Sequence, residues 1–268
     1  MTMLPTLFLS HGSPMQAAGP TPVNQMWAQL AQRWAKPKAI LMVSAHWESE
    51  WPLVGSATQP ETIHDFGGFP AALYQLQYPA SGSPALAEQV QTLLHDAGIQ
   101  CLPQGCRGLD HGAWVPLRYL YPEADVPVVQ LSVQPTLPAA HHLRMGQALR
   151  SLRDEGVLII GSGHTTHNLG RAFRAYQTGD ETVPAYAENF RTWLKQTIEQ
   201  QQIQQLLDWE SAPDARVAHP STEHFLPLFV VVGAALRAGL DSQQQLDIET
   251  LFTGWELPGL ALDSYLFN

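Results

Sequence analysis

AILMVSAHW, residues 39–47, is the stretch on which the fold turns. It opens with an unbroken apolar run and has no polar face until Ser44. A short run of this kind reads as a strand buried on both sides, and such strands belong to sheets covered by helices on both faces. The run then delivers an imidazole, His46, at its carboxyl end. In open α/β sheets that end is where ligands bind. The same grammar recurs in PTLFLS (5–10), followed at once by His11, and in GVLIIGS (156–162), followed by His164 and His167. VPVVQLSV (126–133) reads as a further strand, and 52–57 and 247–253 as weaker ones.

Helical periodicity fills the intervals. Residues 22–35 carry Val23, Met26, Trp27, Leu30 and Trp34 at helical spacing. Residues 84–97 repeat Leu86, Val90, Leu93 and Leu94, and 138–153 carry Leu143, Met145, Leu149 and Leu152. A long Gln-rich amphipathic stretch covers 184–207, and a wholly apolar helix is expected over 224–238. Strands alternating with helices mean α/β. No repeat or composition shift marks a linker. The expectation is a single domain over 1–268, with a central, mostly parallel sheet, helices on both faces and a metal site at the carboxyl ends of the strands.

Composition narrows the function. Lys and Arg total 14 against 24 Asp and Glu, a formal net charge of −10. Phosphate contacts need clustered cations, so nucleic acid is not an expected partner. FLPLFVVVGAAL near the C-terminal end is too short to span a bilayer, and the opening MTMLPTLFLSHG lacks the basic region of a signal peptide. Two cysteines, Cys101 and Cys106, make no disulfide framework in a chain of 268 residues. These features point to a reduced, cytoplasmic enzyme away from membranes. They give no oligomeric state.

The chemistry lies in the histidines. To His11, His46, His164 and His167 the sequence adds His224 in STEHFLPL and His111 in LDHGAW. Imidazole is the commonest metal ligand and the group best placed for proton transfer near neutral pH. Any one of these, alone, reads better as a helix cap or a partner for a loop carbonyl. Three at strand ends imply a shared site. Gly12 and Gly161–Ser162–Gly163 are expected to let the backbone turn tightly beside it. His64, His95, His141, His142 and His219 have weaker cases: His95 reads as exposed and His219 as a supporting residue behind the site. Nitrogen donors suit zinc, iron, copper or nickel over magnesium or calcium. The long non-periodic segment 58–84 holds His64, Asp65, Phe66, Phe69, Tyr74 and Tyr78. It reads either as a lid for a flat aromatic ligand or as a packed surface loop.

These motifs resemble the bacterial and plant 4,5-DOPA extradiol dioxygenases of the class III, LigB-type ring-cleavage superfamily. The matching stretches are LFLSHGSPM (7–15), AILMVSAHW (39–47), TIHDFGGFPAALYQLQYPASGSPALA (62–87), GLDHGAWVPLRYLYPEADVPVVQLSV (108–133), LIIGSGHTTHNL (158–169) and TEHFLPLFVVVGAA (222–235). The resemblance implies one α/β domain and one divalent metal, with Fe(II) for turnover and Zn(II) often found in recovered protein. It implies His11, His46 and His224 as metal ligands. His167 is implied either as a further ligand or as the acid/base, and His111 as a substrate-contacting or proton-handling group. His164 receives no role. Iron oxygenases more widely use two His and one carboxylate, which leaves Glu223 beside His224 as an alternative third ligand; the resemblance favours His224.

The implied substrates are dioxygen and a catechol such as DOPA. Opening the ring next to the two hydroxyls gives a muconic semialdehyde of the seco-DOPA type. Two other functions fit the same residues: a zinc hydrolase using metal-activated water, and a binding protein that kept the fold without the chemistry.

Overall fold

The computed structural model describes residues 3–236 and 246–268. Ten strands are present: β1 (Thr6–Ser10), β2 (Ala39–Glu48), β3 (Leu53–Gly55), β4 (Leu102–Gln104), β5 (Val128–Val133), β6 (Val157–Gly163), β7 (Ile248–Phe252), β8 (Trp255–Leu257), β9 (Leu260–Ala261) and β10 (Ser264–Phe267). The helices are α1 (Pro22–Leu30), α2 (Pro84–Asp96), α3 (His111–Leu120), α4 (Ala139–Leu149), α5 (Leu169–Thr178), α6 (Ala185–Glu199), α7 (Ile203–Leu207), α8 (Ala215–Ala218) and α9 (Leu226–Ala235).

The apolar runs become the centre of an eight-stranded sheet ordered β4-β3-β5-β2-β6-β1-β10-β7. Its core, β5-β2-β6-β1, is parallel throughout. The flanks depart from that: β3 meets β5, and β10 meets β1 and β7, antiparallel. Side chains alternate across each strand. Leu41 and Val43 face one core, shared with α2, α4, α6 and α9. Ile40 and Met42 face the other, shared with α1 and α3. Both faces are thus covered, and the strands carry no solvent-facing polar row. Cys101 is buried and Cys106 exposed, and neither is in a disulfide. Among the described residues no helix is long and apolar enough to cross a membrane.

Several boundaries differ from the sequence reading. β2 runs on to Glu48, so His46 lies within the strand. The stretch 184–207 is two helices, α6 and α7, broken where Gln201 takes a left-handed φ of 56°. The expected helix over 224–238 begins at Leu226; residues 237–238 lie outside the described residues. Helix α3 was hidden by Gly112 and Pro116, residues that argue against helix interiors. It starts because the Asp110 carboxylate accepts the Ala113 N–H as an N-cap. Gly161 and Gly163 form no turn; they lie in β6. A side chain there would sit 2.5 Å from Pro227 O or 2.1 Å from His224 O. Their use is to let the chain entering α9, with His224, lie directly on the sheet.

Candidate metal centre

The carboxyl ends of β1, β2 and β6 and the turn before α9 bring their imidazoles into one buried cluster. Nε2 of His46 lies 3.0 Å from Nε2 of His11 and 3.3 Å from Nε2 of His224. Two nitrogens about 2.1 Å from a shared ion, at angles of 90–109°, lie roughly 3.0–3.4 Å apart. The cluster therefore fits a metal ion.

Proton bookkeeping gives the same answer. The Ser162 hydroxyl donates to Gly112 O at 2.5 Å, so its oxygen can only accept from Nδ1–H of His11, 2.9 Å away. Nδ1 of His224 faces the Glu223 carboxylate at 2.8 Å, an acceptor. Both rings thus carry their proton on Nδ1 and turn an Nε2 lone pair towards His46. Nδ1 of His46 lies 3.5 Å from Asp65 Oδ2. The lone pairs of His11 and His224 both point at Nε2 of His46, an arrangement that a cation between the rings would satisfy. An outer hydrogen-bond partner on each metal-binding imidazole is the usual way of fixing tautomer and ring orientation.

Burial keeps these rings neutral. It pushes His11 and His224 well below the ordinary imidazole value, helped by the neighbouring histidines. His46 is pushed down to about 4, by burial first and His111 second, against the opposing pull of Asp110 and Asp65. A neutral imidazole is the form that binds metal.

Two further histidines flank the cluster. His111 opens α3, its ring centroid 3.9 Å from that of His46. Its backbone N–H donates to Asp65 Oδ1 at 2.9 Å. Its Nδ1 lies 3.0 Å from the same oxygen, off the line of a good hydrogen bond. Burial alone would raise the Asp65 carboxyl; the contacts with His111 and the charges of His111 and His46 outweigh it and bring it down to about 2. His167 stacks on His224 with centroids 3.4 Å apart and planes 16° from parallel. Its Nδ1 is 3.9 Å from Glu223 Oε1. Ligand atoms gather in two sets, His11–His46–His111 and His167–Glu223–His224. His164 lies behind them, edge-on to His11 at 4.9 Å.

The segment 58–84 closes one side. Asp65 reaches His46 and His111 as described, and Phe66 meets the His111 ring edge-on at 5.7 Å, backed by Phe69 and Tyr74. The remaining histidines serve the frame. His64 contacts Leu76 O within its own loop, His142 accepts from the Gln134 N–H, His141 is half-buried, and His95 is exposed. His219 contacts Thr165 O at 3.0 Å, behind the loop that carries His164 and His167.

One buried residue in a matching motif had been given no role. The Asp110 carboxylate accepts from Ser44 Oγ (2.6 Å), Ala113 N (3.2 Å), Arg107 Nη2 (2.7 Å) and Gln130 Nε2 (2.8 Å). It ties the end of β2 to β5 and to the start of α3, and so fixes His46 relative to His111. Ser44 and His46 stand two apart in a strand and share a face; that spacing was readable in advance.

The family described as the catalytic LigB subunit of aromatic ring-opening dioxygenase matches residues 5–251. The chain belongs to the LigB family. Dioxygenases of this family are metal-dependent, in keeping with the cluster. The LigB-family chain is 42% identical over 271 residues to the 4,5-DOPA dioxygenase extradiol of Beta vulgaris, covering 98% of this chain and 96% of that one. The Escherichia coli K12 protein of the same name is 41% identical over 239 residues, covering 87% and 86%. A crystal structure of an uncharacterised Escherichia coli K12 protein superposes with a TM-score of 0.81 at 34% identity, over the whole of both chains.

Proposed function

We propose that this LigB-family enzyme is an extradiol dioxygenase that opens a catechol such as DOPA, with His11, His46 and His224 holding one divalent metal. The observation that carries the reading is the approach of Nε2 of His11 and of His224 to Nε2 of His46, with Ser162 and Glu223 bonded to the opposite nitrogens of the first two and Asp65 3.5 Å from that of His46. A bound metal supplies Lewis acidity and a common anchor for substrate and dioxygen. Fe(II) is the ion proposed for turnover, and the all-nitrogen donor set also accommodates Zn(II).

His167 is read as the acid/base. Imidazole coordinates in its own plane, and two rings stacked at 3.4 Å cannot both hold one ion in plane. Burial first and the surrounding histidines second lower its basicity, which leaves the ring neutral, the form a general base must start from. His111 is read as the second proton-handling group, held by Asp65. Asp65 is read as a positioning residue spanning His46 and His111. Phe66 and Phe69 form an apolar wall suited to a flat ring. Both atoms of dioxygen enter the product, a muconic semialdehyde. The free thiols agree with a cytoplasmic location.

The test is anaerobic reconstitution with Fe(II), then oxygen uptake against a panel of catechols that includes DOPA. Stoichiometric uptake with growth of a semialdehyde absorption is expected. Fe(II)-replete protein that consumes no oxygen with any catechol would sink the reading.

A further inference from the structure

The LigB match ends at residue 251, yet the chain beyond it reaches back into the centre. The hairpin β8–β9 and the strand β10 touch both loops that carry imidazoles. On the β1 side, Glu256 accepts three hydrogen bonds. They come from Ser13 N–H (2.7 Å, to Oε2), from the Ser13 hydroxyl (2.7 Å, to Oε1) and from Gln16 Nε2 (2.8 Å, to Oε1). Ser10 Oγ donates to Asp263 O at 2.7 Å, and Ser10 N to Ser264 Oγ at 3.2 Å. His11 lies between Ser10 and Ser13, and is thus gripped from both sides. Gly12 between them has φ +68°, and a Cβ there would sit 2.7 Å from Gln16 Cγ and 3.2 Å from Glu256 Oε2. The turn is closed tightly against the carboxylate.

On the β6 side the hairpin backbone holds the other loop. Thr166 Oγ1 donates to Gly259 O at 3.0 Å and accepts from Ala261 N at 2.9 Å. His167 is the next residue. The hairpin itself is fixed from outside: Arg191 on α6 pairs with Asp263 at 2.7 Å and lies over the Trp255 ring at 4.9 Å.

We infer that this C-terminal hairpin is a working part of the metal centre, and that Glu256 is a positioning residue that holds the His11 turn in its metal-binding geometry. Among the described residues no cation pairs with this carboxylate, and its three hydrogen bonds all come from the turn that follows His11. It is well suited to fixing a backbone on which a ligand depends. Partners bonded directly to a ligand are worth about 10–100-fold in metal affinity; Glu256 acts one step further out, through the backbone that carries His11, so the low end of that range is expected. The inference rests on His11 being a ligand, as proposed above.

The experiment is titration of metal-free protein with cobalt(II), followed by its visible absorption, for wild type, Glu256→Ala, Glu256→Gln, Ser13→Ala and His11→Ala. Far-UV circular dichroism runs alongside. Glu256→Ala should weaken cobalt binding by about tenfold with an unchanged fold. Glu256→Gln, which keeps one acceptor oxygen, should recover part of the loss. Ser13→Ala removes the hydroxyl that donates to Glu256 Oε1 and should shift affinity in the same direction. His11→Ala should lose the ion. If it does, and Glu256→Ala and Ser13→Ala both bind like wild type, the hairpin inference fails while the ligand assignment stands. A loss confined to an unfolded Glu256→Ala, with Ser13→Ala at wild-type affinity, overturns it equally. If His11→Ala binds like wild type, the ligand assignment itself fails.

Discussion

Replacing Gly112 by alanine adds a single methyl group at a crowded point of the centre. An ideal Cβ there lies 2.5 Å from Ser44 Oγ, 3.0 Å from His46 Cδ2 and 3.3 Å from Asp110 Oδ1. Ordinary contact needs about 3.5 Å, so the hydroxyl must retreat by roughly 1 Å and the ring by roughly half that. Neither has room. The hydroxyl is tied at 2.6 Å to Asp110, and the ring is backed by His111 with centroids 3.9 Å apart. Alanine gains about 1 kcal/mol of helix propensity over glycine. Overpacking costs about 1–3 kcal/mol, and loss of a hydrogen bond to a carboxylate about 1.5–3 kcal/mol. The clash wins, by roughly 1.5–5 kcal/mol on these magnitudes. A metal site tolerates displacements of only about 0.2 Å, so His46 should also lose its alignment. Gly112→Ala is therefore expected to unfold at lower urea in the metal-free form and to bind cobalt(II) about 10–100-fold more weakly. Urea denaturation and chelator competition measure the two effects. Wild-type values in both would refute the reasoning, because the packing around His46 would then be slack.

Metal analysis of single alanine variants separates ligands from proton carriers. His46→Ala should be recovered without metal and inactive. His167→Ala should keep its metal and lose roughly 10²–10⁴-fold in turnover, and metal-free His167→Ala protein would make that residue a ligand instead. Acid stability follows from the frame histidines. Burial pushes His142 and His219 down to about 3. Between that value and the unfolded value near 6.5, the unfolded chain binds protons that the folded chain does not, so stability falls as pH drops from 6.5 towards 3. Each contributes a slope of about 1.4 kcal/mol per pH unit. Urea midpoints at pH 7, 6 and 5 should fall in that order, and His142→Gln should flatten the slope by one proton's worth. An unchanged slope in that variant would remove His142 as a cause.

The centre of the sheet was legible because four strands bury both faces and therefore write continuous apolar runs. The edges were harder. β3 and β4 each span three residues, and β8, β9 and β10 are as short or nearly so. A strand that short carries too few residues to display a period. Helix α3 was invisible for a different reason. Gly112 and Pro116 contradict local propensity, and tertiary demands override it: Gly112 leaves room for Ser44 and His46, and the Asp110 cap supplies the start. The imidazoles were legible as strand-end residues, but their partners were not. Ser162, Asp65 and Glu256 reach the centre from positions distant in sequence, and nothing in the local pattern of an Asp or a Ser reports what it will meet.

Glu223 and His224 illustrate where sequence reasoning stops. Both are ligand types, and they are consecutive, so no spacing rule separates them. In the turn before α9 the two side chains meet each other, with Glu223 Oε1 at 2.8 Å from Nδ1 of His224 and 3.0 Å from the Ser221 hydroxyl. In the proposed centre one residue faces the ion and the other holds it in place. The iron sites built on two histidines and a carboxylate put one negative charge directly on the metal. In the proposed centre three neutral imidazoles would take the inner positions, and two carboxylates, Asp65 and Glu223, stand behind His46 and His224 at 3.5 and 2.8 Å. A dication held there would still be balanced by charge, but through the rings, and each carboxylate would make its imidazole a stronger donor. Glu223 then matters for the metal without touching it, which is why an acidic residue at this position and a histidine ligand beside it are complementary features of one design.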